Sequence, residues 1–319
     1  MEKKENTFIG IDIAKNELVV HVLPTEQQLT VPNSTEGIKE LVRQFKKIEP
    51  KQIVFEATGG LERELLTHLA AQGFAVTLIN PKQARDLAKG LGELAKTDAV
   101  DARILARFAQ LQCLPVRTLP SLEMQEMNDL VTRRQQLIQM RTMERNRLHS
   151  AREKSIKKSI EQIINSCTKQ IEEIDARIEE MIANNPDWSE KDKIIQSVPG
   201  VGAKTSQVLI SALPELGTLN RQEIAALAGL APFCRDSGTK SGSRHIRGGR
   251  ANVRAALYMA TLSAIRCNKA FKEFYQRLIA RGKKFKVAIV AAMRKMMTIL
   301  NVMVKNNTVW KEKEVHMEN

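Results

Sequence analysis

The chain has few of the residues that hold small extracellular proteins together. Among its 319 residues are only four cysteines, Cys113, Cys167, Cys234 and Cys267. They are too far apart for a metal-binding Cys-x-x-Cys pair and show no disulfide-framework spacing, so we expect reduced thiols packed as small hydrophobic side chains. The amino terminus lacks the apolar core of a signal peptide, and no hydrophobic run looks long enough to cross a bilayer. These absences predict a cytoplasmic protein without a membrane partner.

Acidic residues are scarce in only one part of the chain. Residues 1–120 carry 16 Lys and Arg against 15 Asp and Glu, and residues 121–190 carry 11 against 13. Residues 191–319 carry 23 against 8, so the whole net charge of +14 comes from this last part. A basic region beside a neutral one is typical of proteins that bind nucleic acid. The alternative is a basic surface that is merely solvated.

Residues 7 to about 115 alternate short apolar runs with helical patterns, which is typical of an α/β fold. Three strands in hairpin order are followed by a strand–helix–strand unit, which is the strand order of the ribonuclease H fold. The pattern predicts strands at 7–13, 17–23, 27–32, 52–55 and 75–79, and helices from Ser34 or Thr35 and from Leu61 to Ala71.

An acid stands in the middle of the first predicted strand. Ile9, Ile11 and Ile13 alternate on one face, and Asp12 lies on the other, between small residues. Because burying an unpaired charge is costly, Asp12 needs a partner cation or a wet cleft. The alternative is an Asp at a strand end that is satisfied by the turn at 14–16.

Three further acids are expected at the same edge of the sheet. Glu56 follows the fourth strand, and Asp98 and Asp101 share a helix face because they are three residues apart. The alternative for this pair is an N-cap at Thr97 or Asp98, with Asp101 complementing the helix dipole. Four carboxylates repel one another, and such a cluster persists mainly when divalent cations neutralise it. Oxygen ligands favour Mg²⁺ or Mn²⁺ over zinc, so the sequence predicts one of these ions.

Residues 121–184 have a purely helical pattern without Pro or Gly. Apolar residues from Ile160 to Met181 recur at spacings of three and four, as in a coiled-coil seam. Residues 121–158 carry nine basic side chains against five acidic ones, whereas residues 159–190 carry two against eight. Two helices of opposite charge are therefore expected to pair, within one chain or across a dimer. An arm that only spaces two domains is the alternative.

The basic part opens with a Pro-Gly-Val-Gly turn at 199–202, which is similar to a helix-hairpin-helix. Glycine backbone in such a turn approaches DNA phosphates closely, which predicts contacts from Gly200, Gly202 and Lys204. Residues 231–250 then form a loop rich in hydroxyl groups and cations, for which a flexible linker is the alternative. Its predicted phosphate-binding residues are Arg235, Lys240, Arg244, Arg247 and Arg250. The apolar, Met-rich segments 251–266 and 285–305 are predicted to be core.

Five motifs together resemble the insertion-sequence transposases of the 110 family, and in particular its 1111 subgroup. They are Gly-Ile-Asp-Ile-Ala-Lys (10–15), Glu-Ala-Thr-Gly (56–59), Lys-Thr-Asp-Ala-Val-Asp-Ala (96–102), Pro-Gly-Val-Gly (199–202) and Arg-Asp-Ser-Gly…Gly-Gly-Arg (235–250). The resemblance implies an N-terminal domain similar to a Holliday-junction resolvase, with a DEDD acid set matched by Asp12, Glu56, Asp98 and Asp101. It also implies a nucleophilic serine, matched by Ser237 in Ser237-Gly238, although Ser241-Gly242 offers the same dipeptide.

The resemblance further implies DNA partners, namely the element ends and the target, which a bridge-type non-coding RNA chooses. It also implies a protein of the bacterial or archaeal cytoplasm that is associated with the nucleoid. We expect a homo-oligomer, a dimer or tetramer. The predicted parts are an α/β ribonuclease H-like DEDD catalytic domain (1–118), a helical coiled-coil arm (119–188) and a basic, mainly helical transposase domain (189–319).

The predicted function is that of a DNA transposase or recombinase, which cuts and rejoins strands with metal-bound acids and a serine nucleophile. One alternative is a metal-dependent junction nuclease that uses water, in which Ser237 only binds phosphate. The other is a nucleic-acid-binding protein without catalytic activity.

Overall fold

The computed structural model describes residues 6–112, 121–233, 242 and 244–311. The chain divides into two compact units, Met1–Pro120 and Ser121–Asn319. This division lies within two residues of the boundary predicted after residue 118. The second predicted boundary, after residue 188, falls inside a helix, Pro186–Gln196, and the helices before and after it share one apolar core.

The first unit is built on a five-stranded mixed sheet with the strand order β3-β2-β1-β4-β5. Antiparallel hairpins join the first three strands, whereas β4 is parallel to both β1 and β5. The first strand is therefore central, and each strand lies within one residue of its predicted position. The strands are β1 (Phe8–Ile13), β2 (Glu17–Leu23), β3 (Gln27–Pro32), β4 (Gln52–Glu56) and β5 (Val76–Ile79).

Helices cover both faces of this sheet. They are α1 (Thr35–Ile48), α2 (Arg63–Ala71), α3 (Pro81–Gly90) and α4 (Asp98–Leu111). One apolar cluster joins Ile9, Ile11 and Ile13 to side chains of α1 and α2. A second cluster joins the other face, through Phe8 and Val54, to α3 and α4. The predicted alternation along β1 is thus confirmed, and α3 is an element that the sequence pattern did not predict.

The second unit begins with a long helical hairpin formed by α5 (Leu122–Ser150) and α6 (Lys154–Asn184). Leu137 packs against Cys167 and Ile171, and the guanidinium of Arg134 pairs with the carboxylate of Asp175 at 2.5 Å. The two helices of opposite charge therefore pair within one chain, which was one of the two predicted arrangements.

The remaining helices form one core with the base of this hairpin. They are α7 (Pro186–Gln196), α8 (Ala203–Ala212), α9 (Arg221–Leu227), α10 (Ala251–Cys267), α11 (Lys269–Ala280) and α12 (Phe285–Lys305). Between α9 and α10 the short strands β6 (Pro232–Phe233) and β7 (His245–Ile246) pair antiparallel. Both tryptophans lie in this unit: Trp188 is buried, and Trp310 stacks on Phe271 with 6.1 Å between ring centroids.

The helix α12 corrects one expectation from the sequence. Of the helices in the described residues, it alone is long and apolar enough to cross a bilayer, so the expectation that no run is long enough was wrong. Half of its most apolar stretch is buried in the unit. Met293, Met296 and Leu300 lie in the shared core, as predicted for this segment.

Candidate active site

Two strands of the first unit bring the first two predicted acids to one edge of the sheet. Strands β1 and β4 are parallel, and Ile11 pairs with Phe55. The next residues in the two strands are Asp12 and Glu56, so their positions are adjacent because parallel strands advance in the same direction. Both carboxylates are half-buried.

A glycine lets the helix that carries the other two acids lie directly on the central strand. A β-carbon built at Gly10 would lie 2.1 Å from the carbonyl oxygen of Ala102 and 2.2 Å from the amide nitrogen of Ala106. Such distances are far inside van der Waals contact, so only glycine permits this approach. The helix α4 therefore crosses β1 two residues before Asp12.

The start of α4 is fixed by Thr97 rather than by its acids. The hydroxyl oxygen of Thr97 accepts a hydrogen bond from the amide of Val100 at 3.3 Å, which is N-cap geometry. Asp98 and Asp101 occupy the first turn, where an acid also complements the helix dipole. The alternative weighed from the sequence is thus confirmed for Thr97, and both acids still face the cavity described next.

All four predicted acids line one open cavity of about 300 Å³. Asp12 comes from β1, Glu56 from β4, and Asp98 and Asp101 from α4. Two cations, Arg85 of α3 and Lys96, line the same cavity. Its remaining lining residues are Pro81, Ala84, Ala88 and Ile104.

The surroundings of Asp12 and Glu56 favour their neutral forms. Burial, followed by the charges of Asp98 and Asp101, raises the pKa of Asp12 from 3.8 to about 6, against the opposing effects of the Ile13 amide and Lys96. Burial also raises the pKa of Glu56, with Asp101 and Asp12 adding repulsion and the cations Lys96 and Arg85 opposing it. Burial and the mutual repulsion of the acids therefore outweigh the stabilisation of their charges by Lys96 and Arg85.

The donor chemistry of this cluster suits a hard divalent cation. Carboxylate oxygens are the ligands that Mg²⁺ and Mn²⁺ prefer, and such an ion relieves the repulsion that raises the pKa of Asp12. In the part of the chain that the structure describes, however, no three Asp, Glu, His or Cys side chains converge closely enough to hold one ion. The residues fit a metal in their chemistry, and the side chains would have to move closer together to bind it.

The turn after Glu56 is held by an acid outside the predicted set. The carboxylate of Glu62 accepts hydrogen bonds from the amide and hydroxyl of Thr58, at 3.1 and 2.5 Å, and from the amide of Gly60 at 2.9 Å. Burial favours its neutral form, but these hydrogen bonds outweigh burial and hold the pKa of Glu62 below its usual value. Gly59 and Gly60 supply the positive φ angles, 83° and 134°, that the turn requires.

The cation Arg85 was not predicted because it belongs to α3, which the apolar pattern of the sequence does not indicate. A start signal was present: Asn80 follows β5 directly, its side chain accepts from the Lys82 amide at 2.9 Å, and Pro81 opens the helix. With that helix recognised, Ala84, Arg85 and Ala88 fall on one helix face.

In the second unit, the Pro-Gly-Val-Gly turn at 199–202 lies between two helices, α7 and α8. Gly200 has a φ of +99°, and a β-carbon there would lie 2.5 Å from Cα of Ala264, so its lack of a side chain admits α10. The ammonium of Lys204 pairs with Asp175 at 2.8 Å and with Glu179 at 3.3 Å. These contacts give Gly200 and Lys204 structural roles that the sequence did not predict. A β-carbon at Gly202, in contrast, would meet open space.

Arg250 likewise has partners within the unit. Its guanidinium donates to both carboxylate oxygens of Glu215, at 2.6 and 2.7 Å, and to the carbonyl oxygen of Ala212 at 2.9 Å. Arg244 and Arg247, on either side of β7, are exposed. Of the other predicted residues in this loop, Arg235, Ser237, Lys240 and Ser241 lie outside the described residues.

A contact between glycines fixes the base of this loop. A β-carbon built at Gly249 would lie 2.1 Å from the amide nitrogen of Gly229, and both glycines have positive φ. The amide of Arg250 donates to the carbonyl oxygen of Leu227 at 2.9 Å. The segment after β7 is thus packed, backbone against backbone, on the end of α9.

Comparison with known proteins gives matches over most of the chain. A protein-family model described as a transposase, of the DEDD type of the IS110 elements, matches residues 9–153. A second, described as the transposase IS116/IS110/IS902 family, matches residues 192–276. Pilin gene-inverting proteins of Moraxella bovis and Moraxella lacunata are each 28% identical, over 97% of this chain and 99% of theirs. A 43.6 kDa protein of insertion element IS110 from Streptomyces coelicolor is 29% identical over 38% of this chain and 30% of its own length.

Proposed function

Because the chain belongs to the IS110 family of transposases, enzymes that act on DNA by strand cleavage and rejoining, we propose that Asp12, Glu56, Asp98 and Asp101 form its cleavage site. One observation carries this proposal: acids from two strands and a helix line a single cavity, although they are up to 89 positions apart in the sequence (12 to 101). The strand order of the sheet, with the first acid on its central strand, supports a ribonuclease H-like fold for this unit.

The four carboxylates would hold Mg²⁺ or Mn²⁺. Such an ion, when bound, neutralises charge on the phosphodiester and polarises a phosphoryl oxygen. The chain's own contribution is to bring the four acids to one cavity and to place cations beside them. Lys96 and Arg85 favour the ionised form of Glu56, and the Glu62 turn holds the backbone just after Glu56.

For the nucleophile we propose Ser237, on the strength of the Ser-Gly motif. Its hydroxyl oxygen attacks phosphorus and gives up its proton, the bond to the leaving DNA oxygen breaks, and the leaving oxygen is protonated. The DNA end stays joined to serine as a phosphodiester until the hydroxyl of another strand displaces it. Arg244 and Arg247, which are exposed in the second half of the loop, suit paired contacts with phosphate oxygens, as does Arg235. Lys240 would bind phosphate as a single positive charge.

The proposed reaction is recombination between two DNA sites. The pilin gene-inverting relatives are named for a reaction of this class, the inversion of a gene. By family resemblance, a bridge-type RNA would choose the sites and a dimer or tetramer would carry out the exchange. The charge of the last part of the chain, 23 basic residues against 8 acidic, supports nucleic-acid partners.

The cleavage site is tested by the variant Asp12→Asn, which keeps the side-chain size and removes the charge. We expect it to abolish cutting of labelled DNA carrying the element ends, in the presence of guide RNA and Mg²⁺, with the circular dichroism spectrum unchanged. Asp86→Asn, at an exposed acid of α3 outside the cavity, is the matched control and should cut normally. Cutting by Asp12→Asn at the wild-type rate would refute the proposal.

The nucleophile is tested on denaturing gels as a covalent protein–DNA adduct. Ser237→Ala should remove the adduct, and Ser237→Cys should keep at most a trace of it. If the adduct persists in Ser237→Ala and disappears in Ser241→Ala, the nucleophile is Ser241. If the wild-type protein cuts DNA without any adduct, water is the nucleophile and the protein is a nuclease of the junction-cutting type.

A further inference from the structure

We propose that the turn between α11 and α12 is a separate contact for single-stranded nucleic acid, which binds backbone phosphates and stacks one unpaired base on Phe285. We call residues 281–287 the α11–α12 corner. The inference rests on the proposed function only in requiring that the protein handles nucleic acid. It concerns a surface that is distinct from the acid cavity, from the Pro-Gly-Val-Gly turn and from the loop at residues 231–250 that contains Ser237.

The corner presents a cluster of exposed positive charges. Arg281, Lys283, Lys284 and Lys286 are all exposed. In the described ranges, no carboxylate forms an ion pair with any of these four. From residue 269 to residue 287 the sequence has seven Lys and Arg against one acid, Glu273. Such a patch attracts a polyanion, and phosphates spaced along a strand match several cations at once.

The backbone of the corner is ordered by its own hydrogen bonds. The amide of Gly282 donates to the carbonyl oxygen of Ile279 at 2.9 Å, and the amide of Lys283 donates to that of Leu278 at 3.1 Å. With Gly282 at a φ of +75°, this is a Schellman motif at the end of α11. The amide of Val287 then donates to the carbonyl oxygen of Lys284 at 2.9 Å. The backbone that carries the cations is therefore ordered before a ligand binds, which lowers the entropic cost of binding.

An aromatic ring lies among these cations. Phe285 is the first residue of α12, between Lys284 and Lys286, and 46% of it is exposed. Its ring meets that of Tyr275 edge to face, with 6.4 Å between centroids. Tyr275 of α11 thus contacts part of the Phe285 side chain, while nearly half of the residue remains exposed to a ligand.

The combination of exposed ring and cations selects the kind of partner. Bases stack on exposed aromatic side chains when they are unpaired, whereas a duplex keeps its base faces covered. Ile279 of α11 and Val287 of α12 are also exposed, and a protein partner could use such apolar side chains. Seven cations against one acid favour nucleic acid, and single-stranded nucleic acid explains both the charge and the ring.

The charge is tested with Lys283→Gln/Lys284→Gln/Lys286→Gln in the full chain, in an Asp12→Asn background without divalent ions. Binding to labelled single-stranded DNA, single-stranded RNA and duplex DNA of equal length is measured over a salt series. Three lost contacts should reduce the slope of log affinity against log salt by about 2 for single strands. The control, Lys39→Gln/Lys46→Gln/Lys47→Gln, removes three exposed lysines from α1 and should leave the slope nearly unchanged.

The ring is tested with Phe285→Leu, which keeps an apolar side chain and removes the stacking surface. We expect single-strand affinity to fall about 10-fold with the salt slope unchanged, and duplex affinity to stay the same. A loss confined to DNA or to RNA supports the proposal and identifies the strand. Equal losses in the corner and α1 variants, or a duplex loss as large as the single-strand loss, would overturn it. Unchanged binding in both corner variants would overturn it too, and would leave a protein as the partner.

The corner contact and the cleavage site can be refuted separately. Binding without divalent ions does not depend on whether the acids cut DNA. If Asp12→Asn cuts normally while the corner variants lose the predicted slope, the proposed cleavage site falls and the corner contact stands. The converse result would keep the cleavage site and remove the corner contact.

Discussion

Asp12 lies on the central strand of the first unit, where burial and the charges of Asp98 and Asp101 raise its pKa to about 6 from 3.8. The folded protein therefore holds this proton more tightly than the unfolded chain does. Linkage then requires that the free energy of unfolding falls as pH rises from about 4 to about 6, and stays low at higher pH. The charge needed for metal binding is thus kept at a cost in stability when no metal is bound.

Asp12→Asn should accordingly stabilise the metal-free protein near pH 7, by on the order of 1 kcal/mol after allowance for the half-exposed side chain. The gain should shrink below about pH 6 and vanish below about pH 3, where Asp12 is protonated in both the folded and the unfolded chain. Hydrogen exchange of the β1 and β4 amides measures the change, with Asp86→Asn as the control. A gain that persists unchanged at pH 4 would show that charge is not its cause.

At the level of single residues, the positions of the acids could be predicted from the sequence, but ion pairs between distant residues could not. Asp12 and Glu56 follow from strand periodicity, because each interrupts or ends an apolar run. In the sequence, Arg250 is one of several cations in a basic loop. In the structure it pairs with Glu215, which lies 35 positions earlier. Ion pairs across such separations depend on tertiary packing, which no local pattern encodes.

Among the elements, the contact between α4 and β1 controls the site. Gly10→Ala would place a methyl group 2.1 Å from the Ala102 carbonyl oxygen, so α4 must move away from the strand. We expect a loss of at least about 2 kcal/mol in the free energy of unfolding, and loss of DNA cutting, because Asp98 and Asp101 move with the helix. Gly90→Ala, where the added methyl group meets open space, should change neither quantity. Normal cutting by Gly10→Ala would mean that the acids tolerate displacement of α4.

The seam of α6 offers a second contrast. Ile178 is fully buried against α5 and the core of the second unit, whereas 42% of Ile163 is exposed. Ile178→Glu buries a charge and should lower the free energy of unfolding by roughly 3 kcal/mol or more, while Ile163→Glu should change it little. Urea unfolding followed by circular dichroism compares the two. Equal effects would contradict the packing of this seam within one chain.

Elements with strong periodicity were predicted almost to the residue, and weakly patterned ones were not. The five strands alternate or run apolar between clear turns. The helix α3 buries only Ala84 and Ala88, so its apolar stripe is too slight to stand out. The α5–α6 seam predicted a partner helix, but periodicity does not tell a partner in the same chain from one in another copy.

For the whole molecule, charge is distributed by part: residues 1–120 are nearly neutral, and residues 191–319 carry a net +15, from 23 basic and 8 acidic residues. Nucleic-acid affinity of the full chain should therefore fall steeply with salt, by about 10³-fold or more between roughly 50 and 200 mM if six or more phosphates are contacted. Fluorescence anisotropy with labelled DNA measures this. A flat salt response would show that the basic part is only solvated.

The placement of the aromatic residues has a practical consequence. Trp188, Trp310, Tyr258 and Tyr275 all belong to the second unit, and residues 1–120 contain neither Trp nor Tyr. Intrinsic fluorescence therefore reports on the second unit alone, since Phe emission is weak compared with Trp emission. A single Trp introduced at an exposed position of α1 would give the sheet unit its own signal, so that the unfolding of each half could be followed separately in one intact chain.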